Sequence, residues 1–380
     1  MLKDCVAVVD IQTSHIDVAV GEKSVNGTFT FRARETAAYY TYFDGAFYDI
    51  KVLEEKLASL FAKITENSEI SSIETVYVGV PGEFMKTLTK NYRITFNKPR
   101  RITDAEIKTL FDLAYDGEND PEFTLINRTA VYFVADELKT HSVKGVKCSA
   151  LAARVSFNLV SNNYKEVLEN IFSRIGVKTV KFLSVDLAEA LYLFSEDERD
   201  ACRILIDVGE VSCSLSVTAG DGLLYSAAFA LGGGLIAAYL SEELKCDFDV
   251  SDELKRKLNL GLRPNTLSKY SVKSSSGEEY LYDRDTCNRI AFSVLDKIAE
   301  SCDKAISVCP LRLPSDVETA FTGGGVCFMR GAVEYLSTRL GVFPKIIAPE
   351  VPRYDKPDNS SLLSLLSVAL DTSKNKLFYL

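Results

Sequence analysis

The sequence predicts an α/β protein of two related lobes, with a small α+β subdomain inserted into the first. Three observations carry this. Arg203–Val217 (RILIDVGEVSCSLSV) reads as a hairpin of two apolar strands with Asp207 at its mouth. Val6–Val20 (VAVVDIQTSHIDVAV) repeats the device: aligned without a gap, Asp10 matches Asp207 and Val20 matches Val217, the mark of an internal duplication. Between Glu83 and about Asn162 the α/β rhythm gives way to alternating segments around one capped helix, and it returns afterwards.

Taken in order, Cys5–Ile11 and Ile16–Gly21 form the first hairpin, and Thr28–Thr36 follows the Asn26-Gly27 turn signal as a third strand. Asp49 caps a helix over Ile50–Glu66, where Val52, Leu53, Leu57, Leu60, Phe61 and Ile64 share one stripe. Val76–Val80 is a buried strand closed by Pro81-Gly82. In the insertion, Thr103-Asp-Ala-Glu106 is a capping box that opens a helix to Ala114. Arg93–Phe96, Thr129–Val134 and Ala153–Val160 alternate as strands around it. Tyr164–Ile175 is helical and stops at Gly176, Val177–Phe182 is a strand, Val185–Phe194 a helix, and Ser195–Asp200 an inter-lobe linker.

In the second lobe, Leu223–Ala230 runs into Leu231-Gly232-Gly233-Gly234 and a helix over Leu235–Lys245. A Gly-rich turn ahead of a helix N-terminus offers converging N–H groups, an arrangement suited to phosphate. Asp247–Leu262 is helical, Ser268–Asp285 a hairpin, and Arg289–Val308 a long amphipathic helix. Glu318–Phe321 delivers Thr322-Gly323-Gly324-Gly325 ahead of a helix over Arg330–Leu340. Ser361–Leu370 is a last apolar helix, with Lys376–Leu380 as a short tail. The domain reading is lobe I over 1–82 and 163–198, the insertion over 83–162, the lobe II core over 199–236 and 321–354, its subdomain over 237–320, and the terminal helix and tail over 355–380.

A net charge of −9 argues against a nucleic-acid partner, which usually needs a basic face. Lys98–Arg101 (KPRR) is the strongest local exception, and it reads as a solvated turn. Nine cysteines without a C-x-x-C pair suit free thiols in a reducing cytoplasm rather than a disulfide framework. His15 and His141 have no ligand-spaced partner, so a His-based zinc site is not expected. The N-terminus lacks the apolar core of a signal peptide. The uncharged stretch Leu223–Ser241 already reads as strand, Gly-rich turn and helix rather than as a membrane span.

The motifs together resemble the actin-like (ribonuclease H-like) ATPase superfamily, and within it the FtsA family of bacterial cell division. DIQTSHIDVAV stands for the first phosphate loop, VDLAEALYLF for the first connecting helix, and LIDVGEVSCSLSV for the second phosphate loop. CNRIAFSVLDKIAESCDKAI is similar to the second connecting helix and FTGGGVCFMRGAVEYL to the adenosine loop. The insertion, with RITDAEIKTLFDLA and VKCSALAARVSFNLV, resembles the subdomain that marks FtsA. The resemblance implies ATP and Mg²⁺ in the interlobe cleft. Asp10 and Asp207 would hold the hydrated metal. Thr13, Ser14, Gly209 and Ser212 would meet the phosphates, with Gly232 and Gly233 giving the backbone close approach. Gly323, Gly324 and Gly325 would pass beneath adenine and ribose, and Asp252 and Lys255 match a family Glu-x-x-Lys that contacts the nucleoside. Read without the family, those two residues form a surface helix ion pair.

Departures from the family pattern temper that expectation. Gln12 replaces a Gly and His15 a Lys in the first loop, and Glu210-Val211-Ser212-Cys213-Ser214 replaces Gly-Gly-Thr-Thr-Asp in the second. A carboxylate about 5 Å from a phosphate costs roughly 3 kcal/mol per charge pair at an effective dielectric near 20. Either Glu210 turns away or nucleotide binds weakly, and the chain is at most a slow ATPase with no catalytic residue assigned. The family implies partners such as the tubulin-like FtsZ or another division protein, and self-association into protofilaments. It places the chain in the cytoplasm, peripheral to the inner face of the membrane through a partner. The family's terminal basic membrane helix has no counterpart after Leu370, so no direct anchor is expected. The alternatives are a PilM-like pilus assembly component and a sugar-kinase-like phosphotransferase. A kinase would need a base in the cleft, for which only Asp186 and Glu189 are candidates, and both read as residues of an ordinary helix.

Overall fold

The computed structural model describes the chain except for residues 1–4, 25–28, 67–69, 71, 119, 263–267, 276, 311–312, 315–316 and 374–380. Lobe I opens with β1 (Val6–Ile11), β2 (His15–Lys23) and β3 (Phe29–Ala38), then two short paired strands, β4 (Tyr42–Phe43) and β5 (Ala46–Phe47), helix α1 (Ile50–Glu66) and β6 (Thr75–Val80). The insertion holds β7 (Met85–Arg101), α2 (Asp104–Tyr115), β8 (Phe123–Ala135), β9 (Leu138–Thr140) and β10 (Lys147–Ser161). Lobe I resumes with α3 (Asn162–Arg174), β11 (Thr179–Ser184), α4 (Val185–Leu193) and α5 (Glu196–Asp200). Lobe II comprises β12 (Arg203–Val208), β13 (Cys213–Ala219), β14 (Gly222–Phe229), α6 (Gly234–Leu244), α7 (Phe248–Lys257), β15 (Lys269–Lys273), β16 (Glu279–Asp283), α8 (Arg284–Ser307), β17 (Glu318–Thr322) and α9 (Ala332–Leu340). Helix α10 (Ser360–Ser373) returns to lobe I.

The duplication is visible in the strand order. Lobe I is β11-β6-β1-β2-β3 and lobe II is β14-β13-β12-β17. In each, the strand bearing the key Asp is central, pairs antiparallel with the next strand and parallel with a later one: Asp10 opposite Asp17, and Asp207 opposite Ser214 and Thr322. The position of β11 in lobe I is taken in lobe II by a single parallel bridge from Ile346 to Phe321. The elements have local causes. Asp49 Oδ1 accepts from the N–H groups of Lys51 (2.9 Å) and Val52 (3.2 Å), and α1 buries Leu53, Leu57, Leu60, Phe61 and Ile64 on one stripe. The box formed by Thr103 and Glu106 starts α2.

Several boundaries move relative to the sequence reading. The insertion's strands are much longer than the alternating cores that announced them, since β7, β10 and β8 extend together as one antiparallel sheet. Lys98–Arg101 is the exposed end of β7, with Arg101 opposite Lys147, and not a turn. Helix α7 ends at Lys257, and the chain then bridges Asn259 to Arg330. Helix α8 begins at Arg284, capped by Asp283, five residues before the expected start at Arg289. The Asn26-Gly27 turn and the tail Lys376–Leu380 lie outside the described residues. All nine cysteines are free thiols, and no helix among the described residues is long and apolar enough to cross a membrane.

Three contacts fix the lobes against each other. Helix α10 is buried, packing Leu362, Leu365, Leu366 and Ala369 with Val6, Val8, Ala19, Tyr77 and Leu183, while the hydroxyls of Ser360 and Thr322 lie 2.7 Å apart. The insertion leans on lobe II through Thr87 Oγ1, 2.9 Å from Ser226 Oγ. The expected linker is a capped helical turn, α5. From it the buried Arg199 donates to the carbonyls of Phe194 (2.7 Å) and Gly220 (2.9 Å) and to Asp221 Oδ1 (2.8 Å). Glu198 closes the capping box with Ser195 and pairs with Lys345 Nζ at 3.1 Å. These bonds, first the Ser195 N–H and then Lys345, hold its carboxyl down at about 2. A depressed carboxyl stabilises the fold above its unfolded pKa, and that contribution is lost as pH falls toward 2. Glu198→Gln is expected to cost about 1 kcal/mol near neutrality, allowing for the group's partial exposure, and almost nothing near pH 2; denaturant titrations at the two pH values check this.

Candidate functional site

The hairpin mouths of β1–β2 and β12–β13 open onto one cleft. Asp10, Thr13, Asp207, Gly209 and Ser212 line a small floor chamber of about 60 Å³, together with Gln12, Glu83, Asp186 and Ser214. Above it, Ser14, Asp252, Lys255, Gly324 and Gly325 line a wider chamber of about 550 Å³, with Glu210 and the aromatic rings of Tyr40, Phe248 and Phe328. Gly232 lines an adjoining recess. Gly233 and Gly323 stand behind these walls as loop-to-loop contacts. A Cβ on Gly233 would lie 2.0 Å from the Gly325 carbonyl oxygen, and one on Gly323, whose φ is +89°, would lie 2.0 Å from Asp207 Oδ1. The glycines therefore bring three backbone segments together at the back of the site.

The floor is acidic and buried. Burial raises the Asp10 carboxyl, partly offset by Gln12, whose amide donates to Oδ2 at 2.8 Å. Asp186 is pushed up to about 6 and Asp207 to about 7, in both cases chiefly by burial, and for Asp207 also by the charges of Asp186 and Asp10. Glu189 is raised well above the ordinary range by burial and by Asp207, Asp186 and Asp10. Glu83 is raised by burial, against the Gly45 N–H at 3.1 Å and the Ser212 hydroxyl. Asp186 Oδ2 and Glu189 Oε1 have no hydrogen-bond partner among the described residues. Behind the floor, Asp17 is held below the usual range despite its burial, because His15 Nε2 (3.3 Å), Arg34 Nε (3.3 Å) and Thr36 all bond it.

Such a floor fits a hard cation. Asp10 and Asp207 face one chamber, and repelling buried carboxylates gain most from a positive charge between them. Among the described residues no group of three or more His, Cys, Asp or Glu forms a metal cage. Mg²⁺, which takes one or two carboxylates and completes its shell with water and phosphate, would be held there by Asp10 and Asp207.

Two readings of the sequence change in the structure. Lys255 does not pair with Asp252: its Nζ reaches Glu210 Oε2 at 2.9 Å, and Asp252 pairs with Arg256 at 2.6 Å. Asp186 and Glu189 lie on a helix as read, but that helix is no ordinary one: they are 2% and 1% exposed, because α4 packs beneath the cleft between the lobes. Two apolar-flanked acids on a nine-residue helix could have signalled this, since the VDLAEALYL pattern leaves α4 little polar face.

The chain is 21% identical over 365 residues to the cell division protein FtsA of Helicobacter pylori (strain J99), a match spanning 91% of this chain and 72% of that protein. It superposes on a chain of the PilM–PilN type IV pilus biogenesis complex with a TM-score of 0.65 at 13% identity, covering 96% of this chain and 98% of that one. MreB 5 of Spiroplasma citri bound to AMPPNP gives a TM-score of 0.59 at 11% identity, covering 99% and 98%. The chain has the actin-like two-lobe fold. No protein-family model matches it. Within the actin-like fold, the floor chamber occupies the crevice between two duplicated β-hairpins, and the sequence relatives are division proteins.

Proposed function

We propose that the chain is an FtsA-like scaffold of bacterial cell division, whose lobes close on a weakly held Mg²⁺–ATP and whose copies assemble into protofilaments. Partners of the kind FtsA implies, an FtsZ-like tubulin homologue or another division protein, would dock on that assembly. The observation that carries this reading is the confrontation of Asp10 and Asp207, from two copies of one hairpin, across a single cleft. In it those two carboxylates hold the metal, and Thr13, Ser14 and Ser212 orient the phosphates. The wide chamber, with Gly324, Gly325 and Lys255, takes the nucleoside end. The similarity to FtsA supports the cellular role.

Sedimentation velocity over a hundredfold range of protein concentration, with and without Mg-ATP, tests the scaffold. Species that grow with concentration are expected, and a monomer throughout would sink the proposal. A second reading rests on Asp186, a buried acid at the cleft floor raised to about 6, as a general base should be. Turnover of ATP with small hydroxylated substrates would favour that phosphotransferase. A pull-down from host lysate separates a division partner from a pilus one.

A further inference from the structure

Glu210 occupies an unusual place. A side-chain carbon placed on Gly234, the first residue of α6, would stand 2.5 Å from Glu210 Oε1. The carboxylate thus lies against the helix N-terminus, where the helix dipole favours a negative charge. Its other oxygen takes Lys255 Nζ at 2.9 Å, and that lysine side chain is only 10% exposed. The Gly-rich turn is also committed: the N–H of Gly233 donates to the Gly209 carbonyl (2.9 Å) and that of Gly234 to the Glu210 carbonyl (2.7 Å). The first N–H groups of α6 are thus taken by backbone carbonyls, while the Glu210 carboxylate lies beside that helix end and engages the buried cation of the cleft. Gly209 lines the floor chamber and its neighbour Glu210 the wide one.

We propose that Glu210 is the specificity-determining residue of the cleft: a resident anion, clamped by Lys255, that takes the place of a ligand's outer phosphates. The cleft then prefers a nucleoside, or a nucleotide short of those phosphates, over a triphosphate. The wide chamber is suited to the nucleoside end, because Tyr40, Phe248 and Phe328 supply faces for a base and its volume admits one. A triphosphate must take Lys255 from Glu210 and leave that carboxylate uncompensated, or lie beside the carboxylate with no free charge from Lys255, and either lowers its affinity. The inference rests on the reading of the cleft as a nucleotide site.

The test is calorimetric titration of the full chain, wild type and Glu210→Gln, with adenosine, ADP and ATP, each with Mg²⁺, after melting curves confirm that each variant folds. Wild type is expected to bind adenosine at least as tightly as ATP. Glu210→Gln should tighten ATP binding by roughly tenfold or more while leaving adenosine within about twofold. Lys255→Met, which leaves the Glu210 carboxylate without its cation, should weaken ATP by a clearly larger factor than adenosine, and that ratio serves as the test if Glu210→Gln does not fold. Adenosine binding with an ATP affinity insensitive to Glu210 and Lys255 would overturn the role of Glu210 and leave the nucleotide reading standing. Absence of binding for all three ligands in every variant would overturn both.

Discussion

Gly233→Ala is expected to destabilise the chain by about 4 kcal/mol or more, among the largest effects available to a single methyl group. The added carbon would stand 2.0 Å from the Gly325 carbonyl oxygen and 2.4 Å from its carbon. Both are backbone atoms, and neither can rotate away as a side chain can. The contact is also fastened on each side, by Gly233 N–H to the Gly209 carbonyl (2.9 Å) and by Gly325 N–H to the Val208 carbonyl (2.7 Å). Relief requires parting the 208–210, 232–234 and 323–325 segments together, which opens the back of the cleft. Gly261→Ala is the matched control. Its nearest atom would be Asn259 Oδ1 at 3.6 Å, so the change is expected to stay within about 0.5 kcal/mol. Denaturant midpoints for the two variants make the comparison; a mild effect at Gly233 would show that these loops are not packed backbone to backbone.

Asp186→Asn is expected to do the opposite and stabilise the chain, by about 2 kcal/mol near pH 8, with no gain near pH 4. Burial raises this carboxyl from an ordinary 3.8 to about 6, and one of its oxygens has no partner among the described residues. A folded-state pKa above the unfolded one means that the folded chain holds the proton more tightly. Its contribution is fully favourable below the unfolded value and is lost as pH rises through the folded one. Raising the carboxyl that far is worth roughly 3 kcal/mol at most, and an amide of the same shape escapes most of that penalty. Stability measured against pH for both proteins should therefore converge below about pH 4, part between about pH 4 and 6, and keep a constant gap above that. Curves that stay parallel would contradict the buried, strained acid. A gain at Asp186 also means that the native sequence retains a destabilising group in the cleft, as sites kept for function do.

What the sequence disclosed follows the reach of its signals. The hairpins around Asp10 and Asp207 were legible because a strand's period of two and a turn are local properties, and the matching spacing of the two copies exposed the duplication. Helix α1 and the box at Thr103 were legible for the same reason. The length of β7 was not, since most of its residues are exposed and only pairing with β10 keeps them extended. The burial of Asp186 and Glu189 was legible only as a hint, in the apolar flanks that leave α4 little polar face, since nothing within the helix reports which element covers it. The pairing of Lys255 with Glu210 joins residues 45 apart in the chain. A helical neighbour four residues away was the natural partner to expect, and tertiary packing supplied another.

The same distinction bears on the chemistry. On the proposed reading, Gln12 and Glu210 lower nucleotide affinity, and the geometry offers a mechanism: Gln12 bonds the Asp10 carboxylate, and Glu210 engages Lys255 beside the end of α6. On that reading, both residues would meet from within the chain a demand that a nucleotide and its metal would otherwise meet.

Calorimetric titration of the unmodified chain with millimolar Mg-ATP, with phosphate release followed in the same samples, tests this most directly. The account predicts a dissociation constant above about 100 μM, equivalent to less than about 5.5 kcal/mol of binding, and phosphate release no faster than the protein-free blank. Sub-micromolar affinity with brisk phosphate release would contradict it.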